Sequence, residues 1–179
     1  MTILLIRHGE TTGDIEDRYG GFYDDHLTER GRAQLKETAQ KLEDTKVAVI
    51  FSSSLIRTKE SAEILNEVLH TEIVFMDGLK ERNYGVLGGL TKTEAQEKYP
   101  EVVELHKDYT TTDPEGESWE DFTRRVIEAF ESIVDVKNKF ETIVIVGHGG
   151  SIKTILRHLK MPIPDSIGDG AIIEVMYNQ

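Results

Sequence analysis

The chain has 179 residues, of which 38% are hydrophobic and 30% are charged, and its formal net charge is −12 at pH 7. This length and mixture predict one globular domain over residues 1–179 with a substantial core. Because the chain lacks cysteine, disulfides, a thiolate nucleophile and cysteine-ligated metals are excluded. The negative charge disfavours sequence-independent binding to nucleic acid or to an anionic membrane.

The chain begins with a short apolar run at residues 1–6. This run is too short for a secretory signal or a membrane span, and no basic segment precedes it. The run predicts a buried strand. Because it fits neither a secretory signal nor a membrane span, and because the chain lacks cysteine, we expect a cytoplasmic protein.

Short apolar runs alternate with segments of helical character along the chain. This alternation predicts a three-layer α/β/α sandwich around a mostly parallel central sheet. The predicted strands are 3–6, 47–51 and 143–146, with further strands of unassigned direction at 73–75 and 172–177. The predicted helices are 28–43, 55–69, 118–137 and 151–159.

Polar residues that favour helix N-termini mark three of these helix starts. Thr28 precedes the first helix, and Ser53 or Ser54 precedes the second. Ser118, three residues before Asp121, has the spacing of a capping box.

Histidines follow two of the predicted strands, His8 after the first and His148 after the strand at 143–146. Groups at the carboxyl ends of parallel strands converge on one crevice, so the two histidines should face each other. Arg7 lies beside His8, and Arg57 lies in the first turn of a helix, whose N-terminus favours anions.

Each of these residues also has an ordinary structural explanation. An arginine after a strand is commonly a surface ion-pair partner, and a histidine between glycines can belong to a tight turn. Together, in an acidic chain, the four residues indicate a ligand whose negative charge is matched locally by multidentate donors, as a phosphoryl group requires.

Six short motifs in this order resemble the histidine phosphatase superfamily, over nearly the whole chain. The branch in question contains phosphoglycerate mutase-like enzymes and small-metabolite phosphatases such as α-ribazole phosphatase. The motifs are RHGET at 7–11, LTERG at 27–31, SSSLIRT at 52–58, LKERNYG at 79–85, GES at 116–118 and GHGG at 147–150.

The resemblance implies a phosphoglycerate mutase-like fold and assigns roles to individual residues. His8 would be the phosphorylated nucleophile and Glu81 the general acid. The phosphate pocket would comprise Arg7, Arg57, His148 and Gly149. Candidate substrate contacts are Asp14, Arg18, Gly20, Gly21, Arg82, Tyr84 and Lys92.

Residue chemistry independently supports these roles. Guanidinium groups near His8 would lower the pKa of its imidazole and keep it neutral for attack. Phosphoryl transfer is mostly positioning and charge stabilisation, which arginines and a histidine can supply, so we expect neither a metal nor another cofactor. A protonated Glu81 would donate its proton to the leaving alkoxide and then activate water.

Asp14 departs from the pattern, since many members of the family have asparagine at this position. An ionised carboxylate there would repel the substrate. Either the loop turns the Asp14 side chain outward, or Asp14 pairs with a basic neighbour such as Arg18 and tunes specificity.

The motifs leave both mutase and phosphatase activity open. The stretch from Glu81 to Tyr84, followed by Lys92, resembles the substrate-contacting segment of the mutases. Four features argue against mutase activity. The chain is shorter than the mutases, and no arginine pair lies between residues 100 and 116. Gly150 replaces an asparagine that is common in the mutases, and we expect no tail that closes over the site. We therefore expect hydrolysis of a small phosphorylated metabolite such as α-ribazole phosphate, with sugar phosphates and phosphoglycerates equally open, and the chain could form a homodimer.

Other classes of protein fit the motifs less well. A metal-dependent hydrolase would lack closely spaced histidines, a serine hydrolase would lack its GxSxG elbow, and a nucleoside triphosphatase would lack a Walker loop. A binding module that lost turnover remains an alternative, with Asp14 as its one indication. We expect the remaining histidines, His26, His70, His106 and His158, to lie on the surface or a helix face, and Trp119 to serve packing.

Overall fold

A computed structural model describes residues 1–108, 110–135 and 141–177. Its five strands are β1 (Thr2–Arg7), β2 (Val49–Ser53), β3 (Glu72–Met76), β4 (Thr142–Gly147) and β5 (Ile172–Met176). Its helices are α1 (Thr12–Ile15), α2 (Glu29–Lys41), α3 (Ile56–Leu69), α4 (Lys92–Lys98), α5 (Pro100–His106), α6 (Trp119–Val134) and α7 (Gly149–His158), with 3₁₀ turns at Asp77–Leu79 and Gly85–Leu87.

The strands form one sheet in the order β3-β2-β4-β1-β5. The first four are parallel, whereas β5 runs antiparallel to β1 at the edge. In the central pair, Arg7 lies opposite Gly147. The residues that follow these two partners, His8 and His148, therefore leave the sheet side by side.

Both faces of the sheet are covered, because successive strand residues point to opposite sides. In β1, Ile3 and Leu5 pack with α6 and α7, whereas Leu4 and Ile6 pack with α2 and α3. Burying one such aliphatic side chain is worth about 1.5–3 kcal/mol. This arrangement is a three-layer α/β/α sandwich with a mixed, mostly parallel sheet.

A smaller hydrophobic cluster lies under α4 and α5, away from the two faces of the sheet. It is centred on Tyr19, Leu87 and Ala95. This cluster anchors the segment between β3 and α6 beside the carboxyl ends of the strands. Of the helices the structure describes, none combines the length and the apolar character needed to cross a membrane.

The main predicted elements are confirmed, with small shifts at their ends. The N-caps Thr28 and Ser118 accept from the backbone N–H groups of Gly31 and Asp121. The helix predicted for 118–137 ends at Val134, and its last two predicted residues lie outside the described part of the chain. The short helices α1, α4 and α5 were not expected from hydrophobic periodicity.

Three predicted boundaries are wrong for identifiable reasons. The second strand runs to Ser53 rather than residue 51, because Ser52 and Ser53 continue the pairing with β3. Helix α3 is preceded by Leu55, which makes no side-chain cap. The Ser54 hydroxyl donates to Asp77, and the Ser53 hydroxyl accepts from the N–H of Leu55 and contacts His148 Nε2. Helix α7 begins at Gly149 rather than residue 151, because Ser151 accepts from the N–H of His148 at the helix start.

Candidate active site

A cavity of about 710 Å³ opens where β1, β2 and β4 end. We call its inner part, formed by Arg7, His8, Arg57 and His148, the histidine end. The cavity continues outward along α7 toward residues from α6 and the loop after α7. All five residues predicted for phosphate binding or attack, these four and Gly149, thus line one cavity.

His8 is held with one ring nitrogen fixed and the other available. Its Nδ1 lies 2.8 Å from the carbonyl oxygen of Gly9, which can only accept, so Nδ1 carries the proton and Nε2 carries the lone pair. Burial lowers the pKa of His8 well below 6.5, and the charges of Arg57 and then Arg7 lower it further. The imidazole is therefore neutral at neutral pH, with its lone pair on Nε2.

His148 lies beside His8, with ring centroids 5.2 Å apart. Its Nε2 is 2.8 Å from the Ser53 hydroxyl, and its buried Nδ1 has no hydrogen-bond partner among the described residues. Burial lowers the pKa of His148 well below 6.5, helped by Arg57, His8 and Arg7. Two neutral imidazoles therefore share this end of the cavity.

Arg57 is fixed by three acceptors from the loop before α2. Its guanidinium donates to the carbonyl oxygens of Gly21 (2.8 Å) and Tyr23 (2.7 Å) and to Asp25 (3.0 Å). Gly21 has φ +60°, and a Cβ there would lie 2.6 Å from the carbonyl oxygen of Arg82. The loop that positions Arg57 therefore requires glycine at this turn.

Arg7 closes the other side of the histidine end. Its guanidinium donates to the carbonyl oxygen of Ile167 and pairs with Asp169 at 3.1 Å, while its buried Nε has no partner among the described residues. Leaving a buried donor unpaired costs about 1–3 kcal/mol. The Nε–H of Arg7 is such a donor, and it is therefore available to an acceptor-rich ligand.

Glu81 lies between the strand ends and the start of α7. Its Oε2 accepts from the N–H of Gly150 at 2.8 Å and its Oε1 accepts from the N–H of Arg82 at 2.9 Å. A Cβ on residue 150 would lie 2.2 Å from Oε1. Glycine at 150 thus allows the carboxylate to reach the helix N-terminus, and Gly149, the first residue of α7, lines the cavity beside it.

Most predicted substrate contacts line the cavity, namely Asp14, Arg18, Gly20, Gly21, Arg82 and Tyr84. Lys92 does not appear in its lining: the ammonium nitrogen lies 3.1 Å from the centroid of the Tyr19 ring. Burial lowers the pKa of Lys92. Packing of α4 onto the Tyr19 cluster therefore removes Lys92 from the proposed contacts.

Asp14 differs from both alternatives drawn from the sequence. Its carboxylate accepts from the backbone N–H of Thr11 at 2.9 Å and from the Thr11 hydroxyl at 2.8 Å, as part of a capping box for α1. Pairing with Arg18 is wrong, because Arg18 pairs with Glu16 and Glu94. The side chain is exposed but still lines the cavity, so it is not turned away either.

Several lining residues were missed from the sequence. They include Asp25, which fixes Arg57, and His106, which was expected on a surface or helix face but contacts Tyr84 and pairs with Asp113 at 2.7 Å. Trp119, Lys153 and Arg157 also line the cavity, so packing alone does not describe Trp119. Lys153 and Arg157 are four residues apart, so they lie on one face of the helix that follows the GHGG motif. This spacing is the signal in the sequence that could have identified them as cavity residues.

The described residues form no group of three or more histidine, aspartate or glutamate side chains arranged to hold a metal ion. The groups that converge are instead guanidinium, imidazole and backbone N–H donors, with one carboxylate beside them. This donor set suits a tetrahedral oxyanion.

Comparison with known proteins gives the family. Residues 3–169 match the model of the histidine phosphatase superfamily (branch 1). The uncharacterized phosphatase PhoE of Bacillus subtilis is 32% identical over 164 residues, which cover 91% of this chain and 79% of the relative. A 2,3-bisphosphoglycerate-dependent phosphoglycerate mutase of Bartonella henselae is 32% identical over 167 residues, 89% of this chain and 81% of the relative.

Solved structures resemble this fold along its whole length. The α-ribazole phosphatase of Shigella flexneri superposes with a TM-score of 0.88 and 25% identity, covering 100% of this chain and 92% of that one. The match in sequence and fold agrees with the six motifs and with the position of the two histidines. The chain belongs to the histidine phosphatase superfamily.

Proposed function

We propose that this protein hydrolyses phosphate monoesters of small metabolites through a phosphohistidine at His8. The observation that carries the proposal is the state of the His8 ring. Its proton is fixed on Nδ1 by Gly9, the ring is neutral, and Nε2 is left for attack beside Arg7 and Arg57.

In the first step, Nε2 of His8 forms a bond to phosphorus while the bond to the leaving oxygen breaks. Arg7, Arg57 and His148 would stabilise the phosphoryl oxygens. The unpaired Nε–H of Arg7 supports this assignment, because a phosphoryl oxygen would supply its missing acceptor. Gly149 would add its backbone N–H at the start of α7.

Glu81 would protonate the leaving oxygen in this step and accept a proton from water in the next. Each carboxylate oxygen now accepts one backbone N–H bond and retains a second lone pair for a proton. Water then attacks phosphorus, the bond to His8 breaks, and inorganic phosphate leaves. The same residue serves as acid and then as base.

Phosphoglycerate mutase activity is the second candidate, and the mutase-named relatives favour it. In that case the phosphoryl group on His8 would pass to a phosphoglycerate instead of water. Against it, the adjacent arginines Arg124 and Arg125 do not line the cavity: Arg124 pairs with Asp121, and Arg125 pairs with Glu117. Hydrolysis therefore remains our first proposal.

The metabolite is proposed only as a class. The α-ribazole phosphatase neighbour supports a nucleotide-loop precursor such as α-ribazole phosphate. Sugar phosphates and phosphoglycerates fit the same inner chemistry. A binding module without turnover would retain the pocket but would not hydrolyse p-nitrophenyl phosphate.

Hydrolysis of p-nitrophenyl phosphate tests the proposal. His8→Ala should lower kcat by about 10⁴-fold, because the nucleophile is lost, whereas His26→Ala, an exposed control, should retain activity. Intact-protein mass spectrometry of the rapidly quenched wild type should show one added phosphoryl group that His8→Ala lacks. Equal activity of wild type and His8→Ala would refute the nucleophile.

A panel of phosphorylated metabolites then separates phosphatase from mutase. It should include 3-phosphoglycerate with and without its bisphosphate cofactor. Release of inorganic phosphate without the cofactor supports hydrolysis, whereas cofactor-dependent formation of 2-phosphoglycerate would support the mutase.

A further inference from the structure

The outer end of the cavity, which we define as Trp119, Lys153, Arg157 and Ile163, has a composition that phosphoryl transfer does not require. Trp119 and Phe122 come from the first turn of α6, and their rings lie 5.7 Å apart. Ile163 and Pro164 line the cavity as well. This end therefore combines aromatic and aliphatic surface with two cations.

Helix α7 places the two cations at increasing distance from the histidine end. Lys153 and Arg157 follow Gly149 by four and eight residues, which corresponds to about 6 Å and about 12 Å along the helix axis. Residues four apart lie on the same helical face, and both line the cavity. A ligand that extends outward from His8 along α7 would meet both charges in turn.

Of these two cations, Arg157 is the one that contacts within the protein leave available to a ligand. The Lys153 ammonium donates to the backbone carbonyl of Asp165 at 2.7 Å, which ties it to the loop after α7. Arg157 is exposed, its guanidinium lies 5.3 Å from the centroid of the Trp119 ring, and among the described residues it has no carboxylate partner. Asp165 brings one opposing carboxylate to this wall.

The side chains that line the cavity carry a net positive charge, although the chain as a whole is acidic. Six arginine or lysine side chains and four carboxylates line the cavity, an excess of two positive charges in a chain of net charge −12. Several inner cations are committed to protein acceptors, as Arg57 is to Asp25 and Arg7 to Asp169. Arg157, by contrast, has no carboxylate partner within the part of the chain that the structure describes.

We infer that the outer end is a subsite for the leaving group, which carries a planar or apolar body and a second anionic group. The body would pack against Trp119 and Ile163, and the anion would be bound by Arg157 with help from Lys153. This inference rests on the proposed function, because it takes the phosphoryl group to be bound beside His8. It narrows the substrate class to monoesters with a second acidic group, which phosphoglycerates have and α-ribazole phosphate lacks.

Two matched esters test the charge. In 4-carboxyphenyl phosphate the carboxylate lies on the far side of the ring from the phosphoryl group, and 4-carbamoylphenyl phosphate has the same shape without the charge. The wild type should favour the carboxyl ester in kcat/KM by roughly fivefold to tenfold. Arg157→Gln should lose most of that preference, whereas Arg124→Gln, an equal change of charge outside the cavity, should retain it.

Binding to Trp119 gives a second measurement that does not depend on turnover. Trp119 is the only tryptophan, so its fluorescence reports directly on the outer end. Titration with 4-carboxybenzylphosphonate, which cannot be hydrolysed, should change this fluorescence at lower concentration than its carbamoyl analogue. Arg157→Gln should remove the difference.

The outcomes separate the two proposals. Turnover of both esters with equal efficiency would overturn the subsite and leave the phosphatase intact. Without turnover of either ester, the proposed function fails and the phosphonate titration decides: a carboxylate preference lost in Arg157→Gln supports the subsite, and equal binding overturns it.

Discussion

The histidine end and the outer end of the cavity are built in different ways. At the histidine end, strand ends and helix starts fix the functional groups, and the side chains of His8, Arg57 and His148 are buried. At the outer end, Arg157 is exposed and is located by its position on a helical face. Under the two proposals, chemistry common to all substrates belongs to the buried end, and recognition of a particular leaving group belongs to the exposed one.

This difference predicts two kinds of mutational effect. A change at the histidine end should lower activity by the same factor for every phosphate ester, because all esters share the phosphoryl group. A change nearer the leaving group should depend on which ester is used. Substitutions at the two ends of the cavity should therefore be distinguishable by comparing esters with different leaving groups.

Arg57→Gln should lower kcat/KM by about 10²–10³-fold, since one preorganised donor to the phosphoryl oxygens is lost. The factor should be equal for p-nitrophenyl phosphate and an alkyl phosphate, measured at saturating and limiting substrate. A loss confined to one ester would contradict the proposed division. Circular dichroism checks folding, because Asp25 loses its partner.

Arg57 should also control the pH profile of the same reaction. Burial, then Arg57, then Arg7 lower the pKa of His8, so the neutral nucleophile is lost only when pH falls well below 6.5. Removing the charge in Arg57→Gln raises this pKa and moves the acid limb of kcat/KM to higher pH. Arg57→Lys keeps the charge, so its limb should stay near that of the wild type; identical limbs for all three proteins would argue against the charge.

Glu81→Gln should show the opposite pattern across substrates. We expect a loss of about 10²-fold or more for alkyl phosphates, whose leaving alkoxide needs a proton, and a much smaller loss for p-nitrophenyl phosphate. Measuring kcat for both esters gives the ratio directly. Equal losses would count against Glu81 as the general acid.

Gly150→Ala provides a second test of the same carboxylate without changing it. The added methyl group would overlap Glu81 Oε1 and displace the side chain. The variant should therefore reproduce the leaving-group dependence of Glu81→Gln to a smaller degree. Gly149→Ala is the matched control, because a Cβ there meets no atom of the other described residues within 4 Å. It should show no such dependence on the leaving group.

Asp14→Asn should have the smallest effect. The carboxylate is exposed and bonded to Thr11, and exposed charges contribute little. We expect the KM for p-nitrophenyl phosphate to change by less than about twofold. A large decrease in KM would show that Asp14 repels the substrate.

The sequence predicted the histidine end better than the outer end, for a physical reason. His8 and His148 directly follow apolar strands, and parallel strands bring their carboxyl ends together, so local pattern was enough to place them. Asp25, Trp119 and Arg157 reach the cavity from a loop and from two helices. Their positions depend on how those elements pack, which periodicity does not encode.

Helix boundaries show the same distinction. Thr28 and Ser118 were recognised as N-caps because their bonds reach only three residues ahead. Ser53 or Ser54 was expected to cap α3, whereas the Ser53 hydroxyl contacts His148, 95 residues away, and the Ser54 hydroxyl donates to Asp77. Lys92 is a candidate substrate contact by its sequence context, but packing of α4 places it over Tyr19.

By itself, the sequence determined the family, the layered α/β/α fold and the identity of the inner groups, because these follow from motifs and strand order. Tertiary structure alone decided which nitrogen of His8 is free, which acceptors fix Arg57, and that Trp119 and Arg157 share a cavity with the histidines. Hydrogen-bond partners and the surroundings of a cavity come from residues far apart in the chain, and only folding brings them within reach.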